Sequence, residues 1–147
     1  MTAKVFVDSN ILVYAHDADA GPKQQIAAAQ VRALWEDHLG RISTQVLQEF
    51  YVTVTQKLGK PLAKGRAREI VRDYAQWVAS PTTPDTVIRA SEISEGWRLS
   101  FWDSLILAAA EEQDCSTVLT EDLNSGQTVA GIHIINPFSR NQEMPVR

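Results

Sequence analysis

The apolar positions of the chain follow two rhythms, short unbroken runs and stripes at helical spacing. Val5-Phe6-Val7 is a β-branched and aromatic run that suits a strand buried on both faces, and Asp8 closes it. The chain then turns helical through Ile11-Leu12-Val13-Tyr14-Ala15. After a polar turn over 16–22, a helix is expected from about Lys23 to His38. Its apolar stripe is Ile26, Ala29, Ala33 and Leu34, and Gly40 is its stop. Arg41-Ile42-Ser43 reads as a short strand. Ser43 or Thr44 then caps a helix through Lys57, with Val46, Leu47, Phe50, Tyr51, Val54 and Leu58 on its inner side.

Gly59-Lys60-Pro61 breaks that helix, and another is expected from Lys64 to Val78, burying Ala67, Ile70, Val71, Tyr74, Trp77 and Val78. Thr83 as N-cap with Pro84 at the first helical position starts a helix to about Trp97. Ser100 caps the next, which runs through Glu112 and is apolar nearly all round, so it should be buried. Thr117–Thr120 and His133–Ile135 are further strands, joined by a loop containing Gly126 and Gly131. Strands alternating with helices predict an α/β domain, a parallel sheet with helices on both faces. Residues from Asn136 onward read as a loose polar tail. Trp35, Trp77, Trp97 and Trp102 fall at positions compatible with a core.

Length and composition narrow the class. The 147 residues suit one domain over 1–147, and 44% hydrophobic with 22% charged residues is ordinary for a soluble globular protein. The N-terminus lacks a signal-peptide pattern, and no apolar run approaches the roughly 20 residues that cross a bilayer. The expectation is therefore a cytoplasmic protein with no membrane partner. The single cysteine, Cys115, has no partner for an internal disulfide and reads as a structural thiol. The net charge of -4 provides no global field for nucleic acid, so an anionic ligand needs a local patch or bound cations.

One stretch is locally basic: Lys57, Lys60, Lys64, Arg66, Arg68 and Arg72. It is either a solvated helix face or a phosphate-contact surface beside an acidic site. The acids offer the sharper chemistry. Asp8 and Asp122 each follow the C-terminal end of a strand, where open α/β sheets place ligands. Asp103 lies at a helix start, on the same face as Ile106, Leu107 and Ala110. Glu49 lies between Val46 and Val52, at the border of a buried face. Each acid also has a bland reading: a cap at Asp8, a Ser100-x-x-Asp103 capping box, a solvent-facing Glu49 and an Asx turn at Asp122.

Together the four acids should open onto one sheet edge. Two carboxylates about 5 Å apart repel by roughly 3 kcal/mol at an effective dielectric of 20. Such a cluster must take up protons or bind cations. With oxygen donors, and with His16, His38 and His133 scattered, the fitting cation is Mg²⁺ or Mn²⁺ rather than Zn²⁺.

Val-Asp-Ser-Asn at 7–10, Gln45-Val46-Leu47-Gln48-Glu49-Phe50, Trp102-Asp103-Ser104-Leu105-Ile106 and Leu119-Thr120-Glu121-Asp122, in this order, resemble the PIN-domain nucleases. Within them the chain looks most like the VapC-type toxins of toxin–antitoxin pairs, with the likeness running from Val5 to about Phe138. The resemblance implies a three-layer α/β/α fold with about four or five strands in a central parallel sheet and a polar tail over about 139–147. It implies metal-assisted hydrolysis of RNA phosphodiesters, with Asp8, Glu49, Asp103 and Asp122 as the acidic metal ligands. Asp8 and Asp103 would hold the main metal. Asn10 and Thr120 would be supporting polar residues. Asn124 stands where many relatives carry a further Asp, so the grip on a second metal would be looser. Lys57, Lys60, Lys64, Arg66 and Arg68 remain the candidate RNA contacts.

The resemblance also implies a homodimer silenced by a small antitoxin protein. An RNA-processing nuclease without a toxin role and a catalytically inactive PIN binding module stay open beside this reading. A dehalogenase-like phosphatase would need a second Asp where Asn10 stands.

Overall fold

The computed structural model describes residues 3–139. Strand β1 (Lys4–Val7) leads into helix α1 (Ser9–His16), followed by α2 (Pro22–Asp37), β2 (Gly40–Arg41), α3 (Thr44–Gln56) and α4 (Lys64–Tyr74). A 3₁₀ turn (Ala75–Trp77), α5 (Pro84–Trp97), α6 (Phe101–Glu112), β3 (Cys115–Leu119), β4 (Thr128–Val129) and β5 (Ile132–Ile135) complete it. The sheet order is β2-β1-β3-β5-β4. All neighbouring pairs are parallel except β4 with β5, which is antiparallel. The three-layer α/β/α architecture is the one the alternation of strands and helices predicts.

The core is built on the central strands. Phe6, Val7, Val118, Leu119 and Ile134 are fully buried, as strands covered on both faces require. Helix α6 is buried from Ser104 to Ala110 and lies against β3, with α5 packed on it. Helix α1 packs on α2 and α3.

The register decides where the candidate site's side chains emerge. Val7 pairs with Leu119, so β1 and β3 end side by side, and the Asp8 N–H donates to the Leu119 carbonyl at 2.9 Å. One strand further, the Thr120 N–H donates to the Ile135 carbonyl at 3.0 Å. Asp8 and the segment after β3 are thereby placed at one sheet edge.

Several local expectations are corrected. Helix α2 stops at His38, which adopts the left-handed conformation (φ 59°) and returns its N–H to the Leu34 and Trp35 carbonyls. Gly40 instead belongs to β2, where an added Cβ would lie 2.5 Å from the Trp77 ring. The buried stripe of α2 is Ala27, Gln30, Val31 and Leu34, with Ile26 half-buried and Ala29 exposed. Its many alanines blur the apolar face, and the larger Val31 and Leu34 select it. Helix α4 ends at Tyr74 and tightens into the 3₁₀ turn rather than continuing to Val78.

Of the four tryptophans only Trp77 is buried, and Trp35, Trp97 and Trp102 are exposed. The loop after β3 contains β4, two residues too short to show a period of its own. Asn136–Ser139 is not loose. The Asn136 Oδ1 accepts the Phe138 N–H at 2.9 Å, and the Phe138 ring meets Tyr14 edge-on at 5.2 Å. The rest of the expected tail lies outside the described residues. Among the described residues no helix is long and apolar enough to cross a membrane.

Candidate functional site

Asp8 is the centre of a hydrogen-bonded network at this sheet edge. It is the N-cap of α1, and its Oδ1 accepts the Ser9 N–H at 2.7 Å. Its Oδ2 accepts the Thr120 hydroxyl at 2.7 Å. The capping role is therefore real, but it does not require burial, and Asp8 is only 5% exposed. Burial pushes its carboxyl up from 3.8 to about 6. The Thr120 and Ser9 donors oppose that rise, and the charges of Asp122 and Glu49 add to it.

Both acids that press on Asp8 are tied to it through neutral side chains. The Ser9 hydroxyl donates to Glu49 Oε1 at 2.9 Å, and the Gln45 amide donates to Glu49 Oε2 at 3.3 Å. The Asn10 amide donates to Asp122 Oδ2 at 3.0 Å and approaches Asp8 Oδ2 at 3.4 Å. Thr120 closes the ring, its Oγ1 accepting the Asp122 N–H at 3.1 Å. Glu49 and Asp122 are exposed, so their free lone pairs face solvent.

A second cluster braces the loop that carries Asp122. The Tyr14 hydroxyl donates to Glu121 Oε1 at 2.6 Å, and Lys23 pairs with Oε2. The Glu121 N–H donates to Asn10 Oδ1 at 3.3 Å. Lys23 also lies 4.9 Å from the Tyr14 ring centroid, a cation–π distance. The site reading from sequence missed Ser9 and Glu121 as members of this network. Ser9 was visible inside Val-Asp-Ser-Asn, whereas Glu121 looks like any loop acid, because its partners lie 98 and 107 residues away in sequence.

Asp103 stands apart from this network. Its N–H donates to the Ser100 hydroxyl at 3.1 Å, its side chain is half-buried, and it has no side-chain hydrogen bond among the described residues. Two residues separate α6 from β3, so the start of α6 lies toward the edge where β1 and β3 end. Asn124 lies outside the network and is exposed, its carbonyl accepting the Gln127 N–H at 3.3 Å.

Two of the candidate RNA-contact residues sit away from the acids. Lys60 is 3.7 Å from Asp19, in the turn beyond the C-terminal end of α1. Arg66 pairs with Glu69 at 3.4 Å and lines a groove with His16, Trp35 and Tyr74. The eight residues of α1, about 12 Å long, lie between these two and Asp8. Lys57, Lys64 and Arg68 are exposed and unpaired among the described residues. His16 bonds to the Tyr74 hydroxyl at 2.7 Å, and burial holds its imidazole below the usual range. Cys115 is buried and its thiol is pushed up to about 12, so it packs as an inert side chain.

The donor set fits a hard divalent cation in kind. It offers carboxylates with no thiol or imidazole beside them. Among the described residues, no lysine or arginine neutralises Asp8, Glu49, Asp103 or Asp122. In the side-chain positions adopted, no three His, Cys, Asp or Glu groups among the described residues converge to metal-ligand spacing.

Comparisons with known proteins match this geometry at the level of the fold. The toxin–antitoxin complex from Klebsiella pneumoniae is similar over 92% of this chain and 98% of its own, with TM-score 0.66 and 17% identity. VapBC2 from Rickettsia felis, solved bound to a DNA fragment from its promoter, is similar over 88% of this chain and 96% of its own, with TM-score 0.58 and 15% identity. Comparison with curated proteins gives no match. The sequence model of the PIN domain matches residues 5–128, most of the chain, and the protein belongs to the PIN domain family.

Proposed function

We propose that the protein is a Mg²⁺-dependent endoribonuclease and the toxin of a type II, VapBC-like toxin–antitoxin pair. PIN domains are generally nucleases, which gives the reaction class at the family level. The observation that carries the reading is Asp8 itself. A carboxylate is buried at a strand end, its carboxyl pushed up to about 6 by that burial, and tied to two further acids with no basic neighbour among the described residues. Capping α1 requires neither the burial of Asp8 nor its two acidic neighbours, whereas a cation site uses both.

In this reading Asp8 and Asp103 hold the main metal, and Glu49 and Asp122 complete the cluster or orient water. Mn²⁺ would serve in place of Mg²⁺. The bound cation supplies Lewis-acid activation of water and offsets charge on the phosphate undergoing attack. The chain's own residues prepare the site. Ser9 and Thr120 aim the two oxygens of Asp8, Asn10 fixes Asp122, and Gln45 with Ser9 fixes Glu49. Held rotamers of this kind lower the reorganisation needed when the reaction begins.

The toxin assignment draws on the two fold-level neighbours, a toxin–antitoxin complex and a VapBC complex. It implies a protein antitoxin as partner, a homodimer and a cytoplasmic setting. The test is cleavage of single-stranded RNA with Mg²⁺, with chelator, and with a DNA of the same sequence. We expect cleavage of the RNA alone, abolished by chelator and reduced at least about a hundredfold in Asp103→Ala, as loss of a metal ligand requires. Cleavage by Asp103→Ala at the wild-type rate would remove Asp103 from the site.

A further inference from the structure

The corner between α5 and α6 is built from groups that folding would normally hide or neutralise. Trp97 closes α5 and Trp102 is the second residue of α6, one on each side of the connection Arg98-Leu99-Ser100, and they are 45% and 64% exposed. Burying an indole is among the most favourable events in folding, so two left in water at one corner invite a contact from outside. Trp102 is also oriented. Its ring meets Phe101 edge-on at 5.2 Å with an interplanar angle of 80°. Between them in sequence, Arg98 adopts the left-handed conformation (φ 56°), is exposed, and has no ion-pair partner among the described residues. Asp103 follows Trp102 directly in the first turn of α6, so the corner lies at the same helix start as this proposed metal ligand.

We infer that this corner is a stacking platform for single-stranded nucleic acid. An unpaired base lies on the face of Trp102, and Arg98 takes a neighbouring phosphate. This rests on the nuclease reading of the site and adds a substrate contact to it. The acids repel a polyanion, and Lys60 and Arg66 stand at the far end of α1. A grip beside the metal can therefore draw on apolar contact and on an isolated cation such as Arg98. Exposed aromatic faces with an arginine are the chemistry that holds single strands. A base in a duplex offers no free face, so the platform selects unpaired segments.

The test uses the full chain and its Trp102→Ala, Trp102→Phe and Arg98→Ala variants. Direct binding of a labelled single-stranded RNA is measured in chelator, where metal-dependent cleavage is off, and steady-state cleavage is measured in Mg²⁺. Sedimentation of each variant accompanies both. Loss of one base stack should weaken RNA binding and raise KM about tenfold in Trp102→Ala, with kcat within about twofold, and Trp102→Phe should recover most of it. Arg98→Ala should lower the slope of log affinity against log salt by about one. Equal binding by wild type and Trp102→Ala would overturn the inference. So would a wild-type dimer that Trp102→Ala turns into monomer, because the corner would then be covered by a second copy. A wild type that binds RNA through Trp102 and cleaves none would leave the platform standing and sink the nuclease reading. A wild type that does neither would count against both.

Discussion

At the scale of the residue, the burial of Asp8 makes stability depend on pH. The folded protein holds the Asp8 proton up to a pH of about 6, whereas the unfolded chain releases it near 3.8. The folded state therefore binds more protons in that interval. Asp8's contribution to stability is fully present below pH 3.8 and is lost as pH rises toward 6. The difference is worth about 3 kcal/mol. An Asp8→Asn variant keeps an acceptor for the Ser9 N–H and never ionises. In metal-free urea denaturation it should be more stable than wild type at pH 8, by a margin that shrinks as pH falls from 6 to 4. A difference between variant and wild type that does not grow from pH 4 to pH 8 would contradict the assignment. The candidate acids were legible as strand-end and helix-start carboxylates. What joins them was not, because the Ser9 bond to Glu49 spans 40 residues and the Asn10 bond to Asp122 spans 112. Hydrogen bonds across such separations leave no periodic trace in sequence.

At the scale of the element, the parallel register does the positioning. Val7 opposite Leu119 brings Asp8 and Thr120 out together, and Gly40 opposite Val5 sets β2 against the other side of β1. The close approach of Trp77 to Gly40 locks that outer strand. A Cβ at position 40 would meet three Trp77 ring atoms at 2.5–2.7 Å, and an indole core cannot yield as a flexible side-chain tip would. Gly40→Ala should therefore destabilise the protein by about 1–3 kcal/mol in chemical denaturation, the range for overpacked cores. No change in the midpoint would mean that β2 and the 3₁₀ turn shift freely. Most helix positions were readable, since Ser43, Thr83 with Pro84, and Ser100 cap where their chemistry says they should. Gly40 was misread because glycine signals both a helix stop and a close approach, and local sequence does not distinguish them.

At the scale of the whole molecule, alternating strand and helix periods were enough to give the α/β class. The antiparallel edge strand β4 and the exposed tryptophans escaped because both depend on what surrounds them, not on their own segments. The folded chain gathers Asp8, Glu49 and Asp122 through Ser9, Asn10 and Thr120, and α6 brings Asp103 toward the same edge. The central claim is that these acids together take a divalent cation. Its most direct test is a calorimetric titration of Mn²⁺ into wild type and Asp8→Asn at pH 8 and pH 5. We predict saturable binding by wild type at pH 8. It should weaken about tenfold at pH 5, where most Asp8 carries a proton, and be lost in Asp8→Asn at both values. Binding of equal affinity in Asp8→Asn, or none in wild type at pH 8, would contradict the account.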